Sequence, residues 1–289
     1  MTLRAEVVLA AGCELAEGPV WDAARGQLRW VDILPGRVHR LDPASGAHSW
    51  FDAGDLVGAV GLTRSGGLVL ALADGFALAE DDGLRLRRVA GFAVDRSAVR
   101  FNDGKPDPWG GFCAGTMALD ERNGPPCGLY RLGPDGAVRE ILGNVGLSNG
   151  LDWSDDRTAF YYADSASEGV DRFGTDPDTG ALGARRRVVS IADGLPDGLT
   201  LDAEGCLWLA VWGSGQVRRY TPAGRLDRVV RLPVSQVTSV AFGGADLGTL
   251  YITTAREDLT PADLRAQPHA GDIFACSPGV TGRTPFLFG

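Results

Sequence analysis

The chain has 289 residues, 44% of them apolar and 22% charged, with a mean hydropathy of −0.03, which excludes a disordered chain and leaves room for one large domain or two small ones. A formal charge of −9 with no basic run beyond Arg185-Arg186-Arg187 argues against a nucleic-acid partner, whose phosphates this surface would repel. The five cysteines (Cys13, Cys113, Cys127, Cys206 and Cys276) are odd in number, scattered and free of any C-x-x-C pair, which argues against a disulfide framework or a zinc knuckle and for buried thiols in a reducing compartment.

At the start of the chain, residues 7–13 (VVLAAGC) faintly resemble a lipoprotein cleavage site, but the apolar run is too short and Glu6 interrupts the approach to it. No stretch nears the ~20 apolar residues of a membrane helix. The expectation is a cytoplasmic monomer with no membrane partner. From there a period takes over. β-rich runs recur at residues 28–33 (LRWVDI), 68–72 (LVLAL), 112–117 (FCAGTM), 159–165 (AFYYADS), 207–212 (LWLAVW) and 250–255 (LYITTA), starting 40, 44, 47, 48 and 43 residues apart. Polar, glycine-bearing turns such as 22–26 (DAARG), 64–67 (RSGG) and 202–205 (DAEG) precede most of them, and a further strand such as 38–42, 129–132 or 217–220 follows. The second repeat, around 76–79, is the least regular. The 41 glycines fit the many tight turns of an all-β chain.

A spacing of this size is one propeller blade. The period therefore predicts an all-β, six-bladed β-propeller, with four-stranded blades around a central channel, as one domain over residues 1–289. An early strand near 5–9 and a late one near 285–288 are expected in the last blade, to close the ring. One short helix is expected at 261–267 (PADLRAQ), with Thr260 as its N-cap.

Inner strands line a propeller channel, so residues at one end of several of them meet in space. Just before four of them the chain sets an oxygen-bearing side chain followed by glycine: Glu17-Gly18, Asn102-Asp103-Gly104, Asn149-Gly150 and Asp197-Gly198. Each pair alone is an ordinary turn dipeptide. Their recurrence at one blade position points instead to carboxylates and amides converging at a channel mouth, where the acids would repel one another without a cation. The glycines are expected to allow tight turns into the channel. Oxygen donors suit one divalent ion: Ca²⁺, Mg²⁺ or Mn²⁺, with Zn²⁺ and Fe²⁺ tolerated. So few protein ligands would leave coordination positions open for water and substrate.

Glu17-Gly18-Pro19-Val20-Trp21, Arg100-Phe101-Asn102-Asp103-Gly104-Lys105, Ala114-Gly115-Thr116-Met117, residues 148–154 (SNGLDWS), Pro196-Asp197-Gly198 and Thr254-Ala255-Arg256 occur in this order. Along nearly its whole length the chain resembles the regucalcin/gluconolactonase (senescence-marker-protein) family, itself six-bladed. The resemblance implies Glu17, Asn149 and Asp197 as metal ligands, Asp197 also as general base, and Arg100 and Asn102 as contacts to sugar hydroxyls. Where the family often carries a substrate-reaching glutamate, this chain has Asp120 followed by Glu121, in a stretch (118–127) that could form a short lid. The activity implied is hydrolysis of a sugar (aldono-) lactone. A calcium-binding regulatory role and hydrolysis of phosphotriesters or other esters are the alternatives.

No Gly-x-Ser-x-Gly elbow is present, and His39, His48 and His269 lie away from the channel-entry positions and read as surface residues. Arg100 could instead form a salt bridge to a channel carboxylate. Trp21, Trp109, Trp153, Trp208 and Trp212 could wall a pocket, with core packing the commoner role.

Overall fold

Each predicted run is the second strand of a four-stranded antiparallel blade. The computed structural model describes residues 2–91, 95, 97–120 and 123–289. In the first blade the strands Ala16–Asp22, Gln27–Asp32, Arg37–Asp42 and Ala47–Asp52 succeed one another outward from the axis, and the other blades repeat the order. The irregular stretch of the second repeat is an ordinary third strand, Gly75–Ala79.

The six inner strands are Ala16–Asp22, Val57–Leu62, Val99–Pro106, Ser148–Trp153, Leu195–Leu201 and Val237–Gly243. Each touches the inner strands on both sides, the last against the first, and the ring is closed: a six-bladed β-propeller. Being covered on both faces, inner strands such as Val57–Leu62 are buried at every residue, whereas the outer strand Ala47–Asp52 shows the alternation of a half-exposed sheet. A separate apolar cluster fills each of the six blade interfaces. Between the sixth and first blades, for example, Trp21 stacks on Tyr251 with ring centroids 5.7 Å apart. Burying one such side chain contributes about 1.5–3 kcal/mol, so the interfaces bind the blades into a ring that no blade could hold alone.

Closure differs in part from the expectation. Glu6–Leu9 does pair with Ile273–Cys276 as the outer strand of the sixth blade, and Thr2–Arg4 runs parallel beside Leu226–Arg231 as a fifth strand of the fifth blade. Residues 285–288 are not in the last blade. Phe288 bridges Thr63 of the second blade, its N–H donating to the Leu62 carbonyl at 2.9 Å, and the Gly289 N–H reaches the Gly110 carbonyl of the third at 3.0 Å. Residues 281–289 thus cross one end of the channel, from the Ala203 N–H (3.0 Å to the Thr281 carbonyl) through Arg283 to the second and third blades. The helix Pro261–Ala266 forms as expected, with Thr260 and Asp263 in a reciprocal capping box.

Candidate active site

All inner strands run the same way, so their first residues share one end of the channel and their last residues the other. At the first end is a cavity of about 290 Å³ lined by Glu17, Arg100, Asn102, Asn149 and Asp197, together with Ser165, Trp212, Glu257, Asp258 and a few apolar side chains. Five of the six expected site residues therefore line one cavity. None of the three histidines lines it.

The oxygen-bearing residues lie within the inner strands rather than before them, and each sits at a break in register with the second strand: Glu17/Val20, Phe101/Gly104, Ser148/Leu151 and Pro196/Leu199. A β-bulge turns a side chain that would pack between blades into the channel. The glycines serve this differently from a simple turn. Only Gly18 is left-handed, with φ +54°. Gly150 allows close approach: a Cβ there would lie 2.5 Å from the Asp197 carbonyl oxygen, and one on Gly198 would lie 1.9 Å from Ser239 Oγ.

Glu17, Asn149 and Asp197 are 4%, 5% and 6% exposed. Burial, followed by the charge of Asp103, pushes the Glu17 carboxyl up to about 8, against a hydrogen bond from the Gly18 N–H at 2.8 Å. Burial and then Glu17 push Asp197 well above the ordinary carboxylate range. Two buried acids side by side cannot both be ionised cheaply without a counter-charge. Asn149 donates through Nδ2 to Ser165 Oγ at 2.9 Å, and Asn102 Nδ2 donates to Asn149 Oδ1 at 3.3 Å and to the Ser148 carbonyl at 2.8 Å. Arg100 Nη1 donates to Asn102 Oδ1 at 2.7 Å and to the Phe101 carbonyl at 3.0 Å, so the guanidinium is fixed along the wall. Two carboxylates and an amide lining one cavity form a donor set that fits a hard divalent ion.

Asp120 is not on the cavity wall. It is exposed in the loop after the second strand of the third blade, where its carboxylate accepts from the Asn123 N–H at 3.1 Å and Asn123 Nδ2 at 3.2 Å. Glu121 lies outside the described residues.

Ser165 went unread in the sequence. Its hydroxyl holds Asn149 and donates to the Pro196 carbonyl at 2.6 Å, tying the Asn149 strand to the Asp197 strand. Two aspartates at matching places in the repeat also act here. Asp32 accepts from the Glu14 and Leu15 N–H groups at 3.2 and 2.8 Å, and Asp164 from those of Gly146 and Leu147 at 3.1 and 3.0 Å. Each clamps the chain just ahead of a site residue. The only signal was the shared Asp in the WVDI and YYADS runs.

Cys13, Asp32 and His39 form a second ligand-capable group, all buried, with donor atoms within 4.8 Å of one another. His39 is therefore not a surface residue: it stacks on Trp30, centroids 5.0 Å apart, with Nδ1 3.0 Å from Nε2 of the exposed His48. His269 is exposed as expected. Asp32 is committed to its clamp, and burial with the Asp32 charge pushes the Cys13 thiol up to about 12, so this group reads as packing. All five cysteines are free thiols, four of them buried. Trp21, Trp153 and Trp208 are core, and Trp212 lines the cavity.

Residues 15–256 match the model of the SMP-30/gluconolactonase/LRE-like region. The chain belongs to this family. Over 99% of both chains it is 38% identical to a regucalcin of Oryctolagus cuniculus. It is also 38% identical to a 6-deoxy-6-sulfogluconolactonase of Pseudomonas putida, over 95% of this chain and 94% of that one. A calcium-binding protein, regucalcin, from Agrobacterium tumefaciens superposes with a TM-score of 0.94 at 29% identity, over 100% of this chain and 98% of that one. The chain is an enzyme of the sugar lactonase type, and its calcium-binding relatives point to a divalent metal. Among the described residues no helix is long and apolar enough to cross a membrane.

Proposed function

We propose that this protein hydrolyses an aldonolactone to the aldonic acid, with one divalent ion held by Glu17, Asn149 and Asp197. The observation that carries the reading is the pairing of two buried carboxylates, Glu17 and Asp197, in one cavity with the Asn149 amide. Bound there, the cation would polarise the lactone carbonyl and stabilise the charge that develops on its oxygen.

The remaining work belongs to the chain. Asp197 accepts a proton from the water that adds to the carbonyl carbon, and general-base help of this kind supplies roughly 10²–10⁴-fold. The C–O bond to the ring oxygen then breaks, and that oxygen leaves as a hydroxyl after taking up a proton. Asp197 must be ionised for the first step, whereas burial beside Glu17 favours its protonated form, so the base needs a nearby positive charge. Arg100, fixed by Asn102, presents guanidinium donors to the sugar hydroxyls. Asn102 couples that contact to Asn149.

The test is acid release from a panel of five- and six-carbon sugar lactones in weak buffer. Chelated protein is compared with protein resupplied with single divalent metals, after subtraction of spontaneous hydrolysis. Metal-dependent release on one lactone supports the reading and names substrate and ion together. Tight metal binding with no turnover on any lactone would favour the second reading, a calcium-binding role of the kind the regucalcin name describes for its relatives.

A further inference from the structure

We propose that Thr238 is a positioning residue of the metal centre: it holds the peptide in front of Glu17, as Asn102 and Ser165 hold those in front of Asn149 and Asp197. The inference rests on the metal site proposed above and concerns how the chain shapes that site.

Each inner strand breaks register with its second strand near its start, and in four blades the break carries Glu17, Asn102, Asn149 and Asp197. In the second and sixth blades it falls between Val57 and Ala59 and between Val237 and Ser239, and so encloses Gly58 and Thr238. Gly58 has no side chain to offer, and the third blade fills its place: a Cβ there would lie 2.4 Å from the Asn102 carbonyl oxygen. Thr238 does carry a polar side chain, fully buried, yet it does not line the cavity.

Its hydroxyl crosses to the next blade instead. The sixth blade precedes the first around the ring, and Thr238 Oγ1 donates to the Ala16 carbonyl at 2.5 Å and lies 2.7 Å from Thr253 Oγ1. Ala16 is the residue ahead of Glu17. The same arrangement recurs at both other proposed ligands. The Ser148 carbonyl, ahead of Asn149, accepts from Asn102 Nδ2 at 2.8 Å, and the Pro196 carbonyl, ahead of Asp197, accepts from Ser165 Oγ at 2.6 Å. In all three cases the donor is a buried side chain of the preceding blade. The matching carbonyl ahead of Asn102, that of Phe101, is bound by Arg100 of its own blade at 3.0 Å.

The inner strand is one edge of its sheet, so carbonyls on its channel side need donors from outside the ladder. Such a donor also fixes the peptide plane, and with it the direction in which the next side chain leaves the backbone. For Glu17 that direction decides whether its carboxylate shares the cavity with Asp197. Two acids so placed press on one another, and a bond to the peptide in front of Glu17 resists their separation. Thr238 thereby holds the donor set in the arrangement a cation needs.

The experiment titrates Ca²⁺ and Mn²⁺ separately against a chromophoric chelator, with the parent and with T238V, T238A, T238S and T254V, and records the urea midpoint of each chelated protein. Thr254 is the control: equally buried in the same blade, it donates to the Asp272 carbonyl at 2.7 Å, which precedes no ligand. T238V and T238A are expected to weaken metal affinity by about tenfold, and T238S to restore it to within about twofold of the parent. T254V is expected to lower the urea midpoint and leave metal affinity unchanged. Parent-like affinity in T238V and T238A, or an equal loss in T254V, overturns the inference and leaves the metal site standing. Loss of the fold in both T238V and T238A assigns Thr238 to packing and overturns it as well. A parent that binds neither ion overturns the metal site, and this inference with it.

Discussion

The two ends of the channel bury carboxylates equally deeply and treat them in opposite ways. At the cavity end, Asp197 has Glu17 for a neighbour and is pushed well up. At the far end, burial also works against ionisation of Asp152, but Lys105, Arg283 and the N–H groups of Leu201 and Trp153 outweigh it and hold the carboxyl below its ordinary range. Arg283 Nη2 lies 3.0 Å and Lys105 Nζ 3.6 Å from Asp152 Oδ2. At the far end Asp152 is neutralised from within, while Asp103, which lines the same space, is pushed up to about 6 by burial. At the cavity end, burial is the largest cause of the raised proton affinity of both Glu17 and Asp197, and Glu17 adds to that of Asp197.

Exchanging each acid for its amide sharpens this contrast most. Asp197→Asn should lower metal-dependent lactone turnover by about 10²–10⁴-fold, measured as acid release. Chelated and at pH 8, the same variant should melt at or above the parent, because a costly buried acid is gone. Asp152→Asn should do the reverse: it strands Lys105 and Arg283, costs about 3 kcal/mol in urea unfolding and spares the chemistry of the fraction that remains folded. If the two variants shift stability in the same direction, the contrast between the ends fails.

The pH profile of the chelated protein comes next. Glu17 titrates near 8 in the folded chain, against 4.5 as its ordinary value, and Asp103 near 6, against 3.8, burial being the largest cause for both. Between pH ~4.5 and ~8 for Glu17, and between ~3.8 and ~6 for Asp103, the folded state binds more protons than the unfolded one, so stability falls as pH rises, by up to about 1.4 kcal/mol per pH unit for each group within its own window. Thermal melts across those windows should slope downward with chelator present and flatten when a binding metal is restored. A flat chelated profile would mean that the acids are compensated already. The smallest effect is expected from Ser165→Ala, which frees Asn149 Nδ2 and should weaken metal affinity by about tenfold in a competition titration.

The blades were legible because each repeat carries its own evidence, an apolar second strand between polar turns, and six copies reinforce one another. The convergence of Glu17, Asn102, Asn149 and Asp197 was legible for the same reason. What could not be read depends on partners with no local signature. The bulges that turn these side chains inward arise from register against the second strand. Gly150 and Gly198 are needed for the approach of a neighbouring blade. The burial of His39 comes from its stack on Trp30, the role of Ser165 from the Asn149 amide and the Pro196 carbonyl, and the docking of Phe288 from an edge of the second blade more than two hundred residues away in the chain. Asp120 came only from the resemblance, and its carboxylate accepts from Asn123 in its own loop.

Residues 281–289 have a consequence for traffic. Arg283, Thr284, Pro285 and Phe286 line the small space at the far end of the channel, about 60 Å³ in volume, and Arg283 binds the carbonyl of Trp153 at 2.9 Å. With that end stoppered, the propeller is a cup and not a pipe. Under the proposed reading, an acid formed at the floor would leave by the mouth through which the next lactone enters. The outgoing acid and the incoming lactone then queue for the same doorway, and product should inhibit competitively.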